Sequence, residues 1–279
     1  MKLPELGIIA LTPAAWTGND FHPGIAIAAA RAGAIGVLDL EYIDEAGGAE
    51  LALDKLIAEA GAGGVGIRCG AEQVDAFETL IAKLAAANAA SKMLILATRD
   101  KDLDKKAISH CAHLAEKKHL LLAVEAINLD EAKLAQQAGA HLVIAKGHES
   151  AGRVGQETSF VLLQRLCSEL DLPVWVRGGI GPHTAAAALA AGCAGVVLDS
   201  QLLLLRESPL SVEQKEKISN RAPGARHAGE EGLVDTDDLV DCLILSHDQL
   251  SQIVMKPFCF PSRLRGIEFC VQPDHLQPP

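Results

Sequence analysis

The chain has 279 residues, a formal net charge of −11, and 49% hydrophobic but only 3% aromatic residues. This length permits one large core, and a single α/β barrel of this size is ordinary. The acidic balance argues against a nucleic-acid partner, because such proteins usually carry a basic patch and the basic residues here are dispersed. Seven cysteines without a CxxC pair indicate neither a disulfide framework nor a zinc site.

No apolar stretch reaches the length that a bilayer requires. The first residues, MKLPELGIIALTP, are too briefly apolar for a signal peptide. We therefore expect no membrane partner and a cytoplasmic location. The histidines around the fourth predicted helix lack the carboxylates or cysteines that would complete a metal site, so we expect no metal.

Continuous apolar runs of strand length recur along the chain. They do not alternate apolar and polar residues, which is typical of strands covered on both faces. The predicted strands are LGIIAL at 6–11, IGVLDL at 35–40, VGIRC at 65–69, MLILAT at 93–98, LLLAVEA at 120–126, HLVIAK at 141–146, PVWVRG at 173–178 and GVVLDS at 195–200.

Ala-rich segments with helical spacing separate these strands. Several end on an Ala-Gly pair, and a glycine just past a helix end adopts the left-handed cap conformation without steric cost. Asn128 followed by Glu131 predicts a capped helix start, and Pro182 stands where a first helical turn tolerates proline. The predicted helices cover 22–33, 45–60, 72–89, 102–118, 129–139, 158–170, 183–192 and 211–221.

The alternation of strands and helices predicts a parallel α/β fold, and the count of eight favours a closed (β/α)8 TIM barrel. An open, doubly wound sheet stays the alternative, because periodicity does not show closure. We expect the barrel to occupy 1–221. Residues 222–279 are expected to form a linker and an irregular C-terminal extension with one more helix at 233–256.

Two loops on the expected active face have the composition of an anion site. Strand seven ends in RGGIGPHT, where Gly178, Gly179 and Gly181 let backbone N–H groups approach a phosphate at the start of the next helix. Strand eight ends in LDSQ, where Ser200 and its neighbouring amides can complete the cradle. Barrels often hold phosphate at these two exits. The alternative is that the glycines only make tight turns.

The loop after strand six, KGHESAGRVG at 146–155, lies on the same face and mixes glycines with charged side chains. Lys146 stands at the strand end and is a ligand candidate. His148 could act near neutral pH, or could serve only as a hydrogen-bonding residue. Glu149 could instead brace the loop. Other charges near strand ends could serve the site or pair across the barrel; they are Arg68, Glu125 and Arg177.

The segments HLVIAKGHESAGRVG and PVWVRGGIGPHTAAAALAAGCAGVVLDSQLLLLRESPL resemble the nitronate monooxygenase family, which are FMN-dependent barrels that include bacterial enoyl reductases. The resemblance is strongest over 119–210 and weaker over 6–100. It is greatest to the barrel domains of polyketide and polyunsaturated fatty acid synthase-like megaproteins. The resemblance implies FMN, with Lys146 and Gly147 near its ring or ribityl chain. It assigns the phosphate to Gly178, Gly179 and the turn Asp199, Ser200, Gln201, and the loop composition adds Gly181 to the expected cofactor site.

The sequence departs from the family at the histidine that removes the substrate's proton, where it carries Arg153. Arginine stays protonated and cannot act as this base, although it can bind a carboxylate, phosphate or thioester oxygen. Two hypotheses follow. One is an FMN-dependent oxidoreductase acting on a small-molecule substrate, either of acyl type or small and oxidisable, with Arg153 and His148 orienting it. The other is a non-catalytic barrel module within a multidomain synthase.

Overall fold

The computed structural model describes residues 7–14, 21–43, 46–61, 63–97 and 103–219. In this part of the chain eight parallel strands close into a barrel, each paired with its sequence neighbours and β8 with β1. The closed barrel is therefore confirmed, and the open sheet is wrong. The strands are Gly7–Leu11 (β1), Ile35–Asp39 (β2), Gly64–Gly70 (β3), Lys92–Ala97 (β4), Leu121–Ala126 (β5), Leu142–Lys146 (β6), Val174–Arg177 (β7) and Gly195–Leu198 (β8).

The helices follow the predicted segments with slightly shorter bounds. They are Gly24–Arg31 (α1), Gly47–Glu59 (α2), Glu78–Ala86 (α3), Lys105–Lys118 (α4), Leu129–Gln137 (α5), Ser159–Glu169 (α6), Pro182–Ala190 (α7) and Val212–Ser219 (α8). The predicted helix 233–256, the extension 222–279 and the boundary at 221 lie outside the described residues. None of the described helices is long and apolar enough to cross a membrane.

The predicted helix at 72–89 was wrong at its start, where the chain forms a short 3-10 turn at Ala71–Gln73 before α3 begins. The buried side chain of Gln73 explains the break. It accepts a hydrogen bond from the Gly70 amide at 2.6 Å and donates to the Ile43 carbonyl. These bonds tie the turn to the end of β3 and to the loop after β2, and a regular helix starting at this point would have to break them.

The predicted helix ends are confirmed. The four glycines of the Ala-Gly pairs have positive φ, as left-handed caps do; they are Gly33, Gly61, Gly139 and Gly192. The Asn128 side chain accepts from the Glu131 amide at 2.9 Å. Glu131 reaches back to the Ile127 amide at 3.2 Å, one residue earlier than in a standard capping box. Pro182 begins α7.

The core has two parts, because alternate residues of each strand face the helices or the barrel interior. The interior part is aliphatic apart from Trp175, which is fully buried. A Cβ placed on Gly7 or Gly195 would overlap the Trp175 ring, so these two glycines provide its space. Nearer the carboxyl ends of the strands the inward-facing residues become charged, and the candidate site begins there.

Candidate functional site

A cluster of buried charges closes the barrel at the carboxyl ends of its strands. Five strands contribute a charged residue there, and two further carboxylates follow β2 and β8. This group, called the mouth cluster below, consists of Asp39, Glu41, Arg68, Glu125, Lys146, Arg177 and Asp199. It contains one more carboxylate than cations.

Glu125 on β5 lies at the centre of the mouth cluster. Its carboxylate accepts from Arg68 Nε at 2.9 Å, Arg68 Nη2 at 2.8 Å and Arg177 Nη1 at 2.5 Å. Lys146 Nζ lies 3.6 Å from Glu125 Oε2. One carboxylate thus joins cations from three different strands, so β3, β6 and β7 all depend on it for charge balance.

The remaining ion pairs lead outward from this centre. Arg68 Nη1 donates to Asp39 at 2.9 Å and to Glu41 Oε2 at 2.5 Å. Arg177 Nε donates to Asp199 Oδ2 at 2.8 Å. The sequence left two roles open for Arg68, Glu125 and Arg177, which were serving the site or pairing across the barrel. The structure shows the pairing across the barrel.

Burial and neighbouring charges shift the pKa values of Glu125 and Lys146. Burial by itself would raise the pKa of Glu125, but Arg68, Arg177 and Lys146 together hold it well below its usual range. Burial lowers the pKa of Lys146, and Arg177 and Arg68 act in the same direction against the opposing effect of Glu125. Glu125 is therefore ionised in the folded protein at neutral pH, and Lys146 is the cation whose charge is least favoured.

The lowered pKa of Glu125 has a consequence for acid unfolding. A carboxyl whose pKa is lower in the folded state stabilises the fold above its unfolded pKa, about 4.3 for glutamate, and loses this effect as pH falls through the folded value. We expect the stability difference between wild type and Glu125→Gln to shrink as pH falls below about 4.3. Urea unfolding from pH 7 downward measures it, and a difference that stays constant would contradict the assignment.

A cavity of about 850 Å³ opens beside the mouth cluster. Part of its lining is charged or polar and includes Asp39, Glu41, Arg177, Asp199 and Ser200. Apolar lining residues come from the segments near α1, after β8 and in α8, and include Phe21, Leu203, Pro209, Leu210 and Ile218. Cavities of roughly 300–1,000 Å³ hold cofactors and drug-sized ligands. The arrangement suits an amphipathic ligand.

The β7 exit has the backbone geometry of an anion site. Gly178 and Gly179 have φ of 111° and 61°, and α7 begins three residues later. A Cβ on Gly178 would lie 2.6 Å from the hydroxyls of Ser150 and Ser159, so only glycine fits there. The buried Ser150 hydroxyl makes no hydrogen bond to any described residue. The Gly181 amide is bound by Thr184 Oγ1 at 2.6 Å.

The β8 exit is already filled by its own side chains. Asp199 Oδ1 accepts from the Ser200 amide at 2.7 Å, while its Oδ2 holds Arg177. Gln201 accepts from the Asp199 amide at 2.9 Å and donates to the Ile180 carbonyl at 2.8 Å. The carboxylate of Asp199 therefore takes the backbone donor and the cation that an external anion would use here.

The loop after β6 is held by its own charged residues. Lys146 is only 2% exposed, and a Cβ on Gly152 would lie 3.4 Å from its Nζ. Glu149 Oε2 accepts from the amide and hydroxyl of Ser159, both at 2.8 Å, and so satisfies the N-terminus of α6. This matches the bracing role considered for Glu149. Gly147 packs directly against Ser159.

His148 and Arg153, the expected orienting residues, do not contribute to the lining of the described cavity. Arg153 Nη2 lies 2.5 Å from Glu131 Oε1, which connects the loop to the start of α5. The buried Nδ1 atom of His148 makes no hydrogen bond to any described residue. Their assigned roles stay predictions, and Arg153 is paired with Glu131.

Comparison with known proteins agrees with this architecture. Residues 109–224 match the family model for nitronate monooxygenase. They include the whole region, 119–210, in which the sequence resemblance was strongest. Over these residues the barrel is similar to nitronate monooxygenase.

A sequence relative is a dehydrogenase from Rhodococcus jostii (strain RHA1), (3aS,4S,5R,7aS)-5-hydroxy-7a-methyl-1-oxo-octahydro-1H-indene-4-carboxyl-CoA dehydrogenase. It is 35% identical over 100 residues, which are 32% of this chain and 28% of the relative. The chain thus matches under a third of that protein's length.

Two solved structures share the fold of this nitronate monooxygenase-like barrel. A point mutant of FabK from Thermotoga maritima superposes with a TM-score of 0.64 at 23% identity, covering 79% of this chain and 70% of FabK. Nitroalkane oxidase from Streptomyces ansochromogenes gives a TM-score of 0.59 at 22% identity, covering 76% and 70% of the two chains. At these identities the likeness establishes the fold.

The FMN implied by the family resemblance fits the nitronate monooxygenase-like barrel only in part. The cavity has the size for a flavin ring system, but of the residues predicted to bind the flavin only Asp199 and Ser200 line it. The phosphate dianion does not fit beside Asp199 as folded. Two like unit charges 4 Å apart repel by about 4 kcal/mol at an effective dielectric constant near 20, and Asp199 already holds the Ser200 amide and Arg177.

Among the cavity-lining residues that sequence reasoning missed, three polar ones lie together in the chain. Asp39, Glu41 and Tyr42 stand at and just after the carboxyl end of β2. Their signal was present, since polar residues directly after a buried parallel strand face the active end of a barrel. The strand-end rule applied to β6, β7 and β8 would have found them at β2.

Proposed function

We propose that this nitronate monooxygenase-like barrel is a flavin-dependent oxidoreductase. The observation that carries the proposal is the cavity at the strand carboxyl ends, whose lining includes both charged and apolar residues and reaches Arg177, the residue before the glycine turn of β7. The family match over residues 109–224 includes this turn and supports the assignment. A bound flavin would supply the redox chemistry, while the protein positions the ligands and excludes water.

The proposed flavin contacts are those that the family resemblance implies. Lys146 and Gly147 would lie near the ring or ribityl chain. The headgroup would meet Gly178, Gly179, Gly181 and the turn Asp199, Ser200, Gln201, and FMN is the form that the resemblance favours. The arrangement of Asp199 bears directly on which headgroup is accepted.

The proposed substrate is of acyl type. Its chain would pack against apolar residues of the cavity lining such as Leu203, Leu210 and Ile218. Its polar end would face Arg177 and the neighbouring carboxylates of the mouth cluster. The relative from Rhodococcus jostii, whose name describes a carboxyl-CoA dehydrogenase, is consistent with a substrate of this class.

The proposed roles of His148 and Arg153 concern the loop after β6. Arg153 replaces the family's catalytic base and would hold the loop over the site through Glu131. The role proposed for His148 is to help orient the substrate from the same loop; its buried, unbonded ring nitrogen lies outside the lining of the described cavity. Because arginine stays protonated, we propose that nitronate oxidation through this position is absent.

Flavin binding tests the proposal directly. We expect the purified protein to show flavin absorbance, or to quench the fluorescence of added riboflavin or FMN on binding. Gly178→Ala should abolish binding, because the new Cβ would collide with Ser150 and Ser159 at a positive φ. An acyl thioester should raise the melting temperature of the flavin-loaded protein.

Gly192→Ala is the matched control for this variant. Gly192 also has a positive φ, 98°, but it lies at the end of α7 with open space around its Cβ position. Both variants should lose about 1–3 kcal/mol of stability from backbone strain. Only Gly178→Ala should lose the flavin. A colourless protein that takes up neither flavin would overturn the proposal.

The second candidate is a non-catalytic barrel module associated with a multidomain synthase. The mutual pairing within the mouth cluster favours it, because Asp199 and Arg177 satisfy one another without a ligand. Failure of both flavins to bind a folded protein would support this candidate.

A further inference from the structure

We infer that Asp199 is a specificity-determining residue that excludes phosphate from the anion position at the β7 and β8 exits. The ligand headgroup accepted there is therefore uncharged, as in a flavin that ends in its ribityl hydroxyl. The inference deepens the proposed function and depends on it only for the identity of the ligand.

The contacts of Asp199 match those that a bound anion would make. One carboxylate oxygen accepts from the Ser200 backbone amide at 2.7 Å, and the other accepts from Arg177 Nε at 2.8 Å. A backbone amide and a guanidinium are common phosphate donors. Asp199 is covalently part of the protein, so the effective concentration of its carboxylate beside these donors is higher than a free anion reaches. It therefore occupies both donors.

The surrounding turn holds Asp199 in this place. Gln201 binds the Asp199 amide and the Ile180 carbonyl, which connects the β8 exit to the β7 exit. Arg177 is fixed from its other side by Glu125. Moving Asp199 away would leave Arg177 with one carboxylate partner.

A second acidic residue, Glu149 in the loop after β6, lies beside the glycine turn. A Cβ on Gly179 would lie 3.8 Å from Glu149 Cβ and 3.9 Å from its Cγ, and the carboxylate of Glu149 is bound at the start of α6. A phosphate over the glycine turn would therefore be repelled by Glu149 as well as by Asp199, and an uncharged polyol meets no such repulsion.

The first test uses inorganic phosphate and does not involve flavin. Wild type, Asp199→Asn and Asp171→Asn are melted in phosphate and in chloride at equal ionic strength. Asp171 is an exposed carboxylate in the loop before β7, at the opposite end of the barrel, and is the matched control. We expect phosphate to raise the melting temperature of Asp199→Asn by about 2–6 °C and that of the other two proteins by less than about 1 °C.

The second test compares the affinities of the same proteins for FMN and riboflavin by fluorescence quenching. Wild type should favour riboflavin, and Asp199→Asn should shift the ratio toward FMN by about tenfold or more. Equal stabilisation of all three proteins by phosphate, or no stabilisation of Asp199→Asn, would overturn the inference. If Asp199→Asn gains phosphate binding while no protein binds either flavin, the inference stands and the proposed function fails.

Discussion

Replacing Glu125 by glutamine is expected to lower the free energy of unfolding by about 3–5 kcal/mol, the usual cost of removing one partner from a buried ion pair. Glutamine has nearly the same shape but no charge. Its NH₂ group would also face donors of Arg68 or Arg177, since both guanidinium groups donate to this carboxylate. The two buried arginines would then keep only the remaining carboxylates of the mouth cluster as partners. Urea unfolding followed by circular dichroism measures the loss.

Glu169→Gln is the control for this substitution. Glu169 on α6 also pairs with a cation, Lys133, at 2.8 Å, but both side chains are more than 40% exposed. Exposed pairs contribute about 0–1 kcal/mol because solvent screens them. If Glu125→Gln costs no more than Glu169→Gln, the mouth cluster does not stabilise the barrel as its geometry indicates.

Replacing Gly7 by alanine is expected to destabilise the barrel by about 3 kcal/mol, at the upper end of the usual cost of overpacking a core. The new Cβ would lie 1.8 Å from Trp175 Cη2, far inside van der Waals contact. Trp175 is fully buried within the barrel, so its ring has little space into which it can move. Thermal or urea unfolding measures the effect.

The matched control is Gly47→Ala at the start of α2, where a new Cβ meets nothing within 4 Å. This change should be neutral or stabilise the protein by up to about 1 kcal/mol. Trp175→Phe removes the ring atoms that collide with the new Cβ. It should therefore restore part of the stability in the Gly7→Ala background, with a coupling of about 0.5–3 kcal/mol. Strictly additive effects would contradict the packing of Gly7 on Trp175.

The strands and most helix ends could be predicted because their signals are local. Apolar runs, Ala-Gly pairs and the Asn128 cap depend on a few consecutive residues, and tertiary packing left them in place. The prediction of a helix at 72–89 was wrong at its start, and the reason is not local. Gln73 bonds to a carbonyl 30 residues earlier, and no pattern within the segment shows that contact.

The position of the candidate site could be predicted, but the contacts of its charged residues could not. The order of the strands placed the exits of β6, β7 and β8 on one face, so the glycine turn and the loop after β6 were found from the sequence. The contacts of Asp199 and Arg153 were not found from the sequence. Each depends on a partner 22 residues away, and the resemblance assigned both residues to ligands.

By itself, the sequence determined the repeating strand and helix, the face that carries the site and the likeness to the nitronate monooxygenase family, because these follow from local pattern and chain order. Only the tertiary structure decided that Glu125 joins three cations and that Asp199 occupies the anion position. The reason is physical. Barrel closure brings charged residues from strands far apart in sequence within hydrogen-bonding distance. Each buried charge then pairs with the partners it meets there, which no local pattern shows.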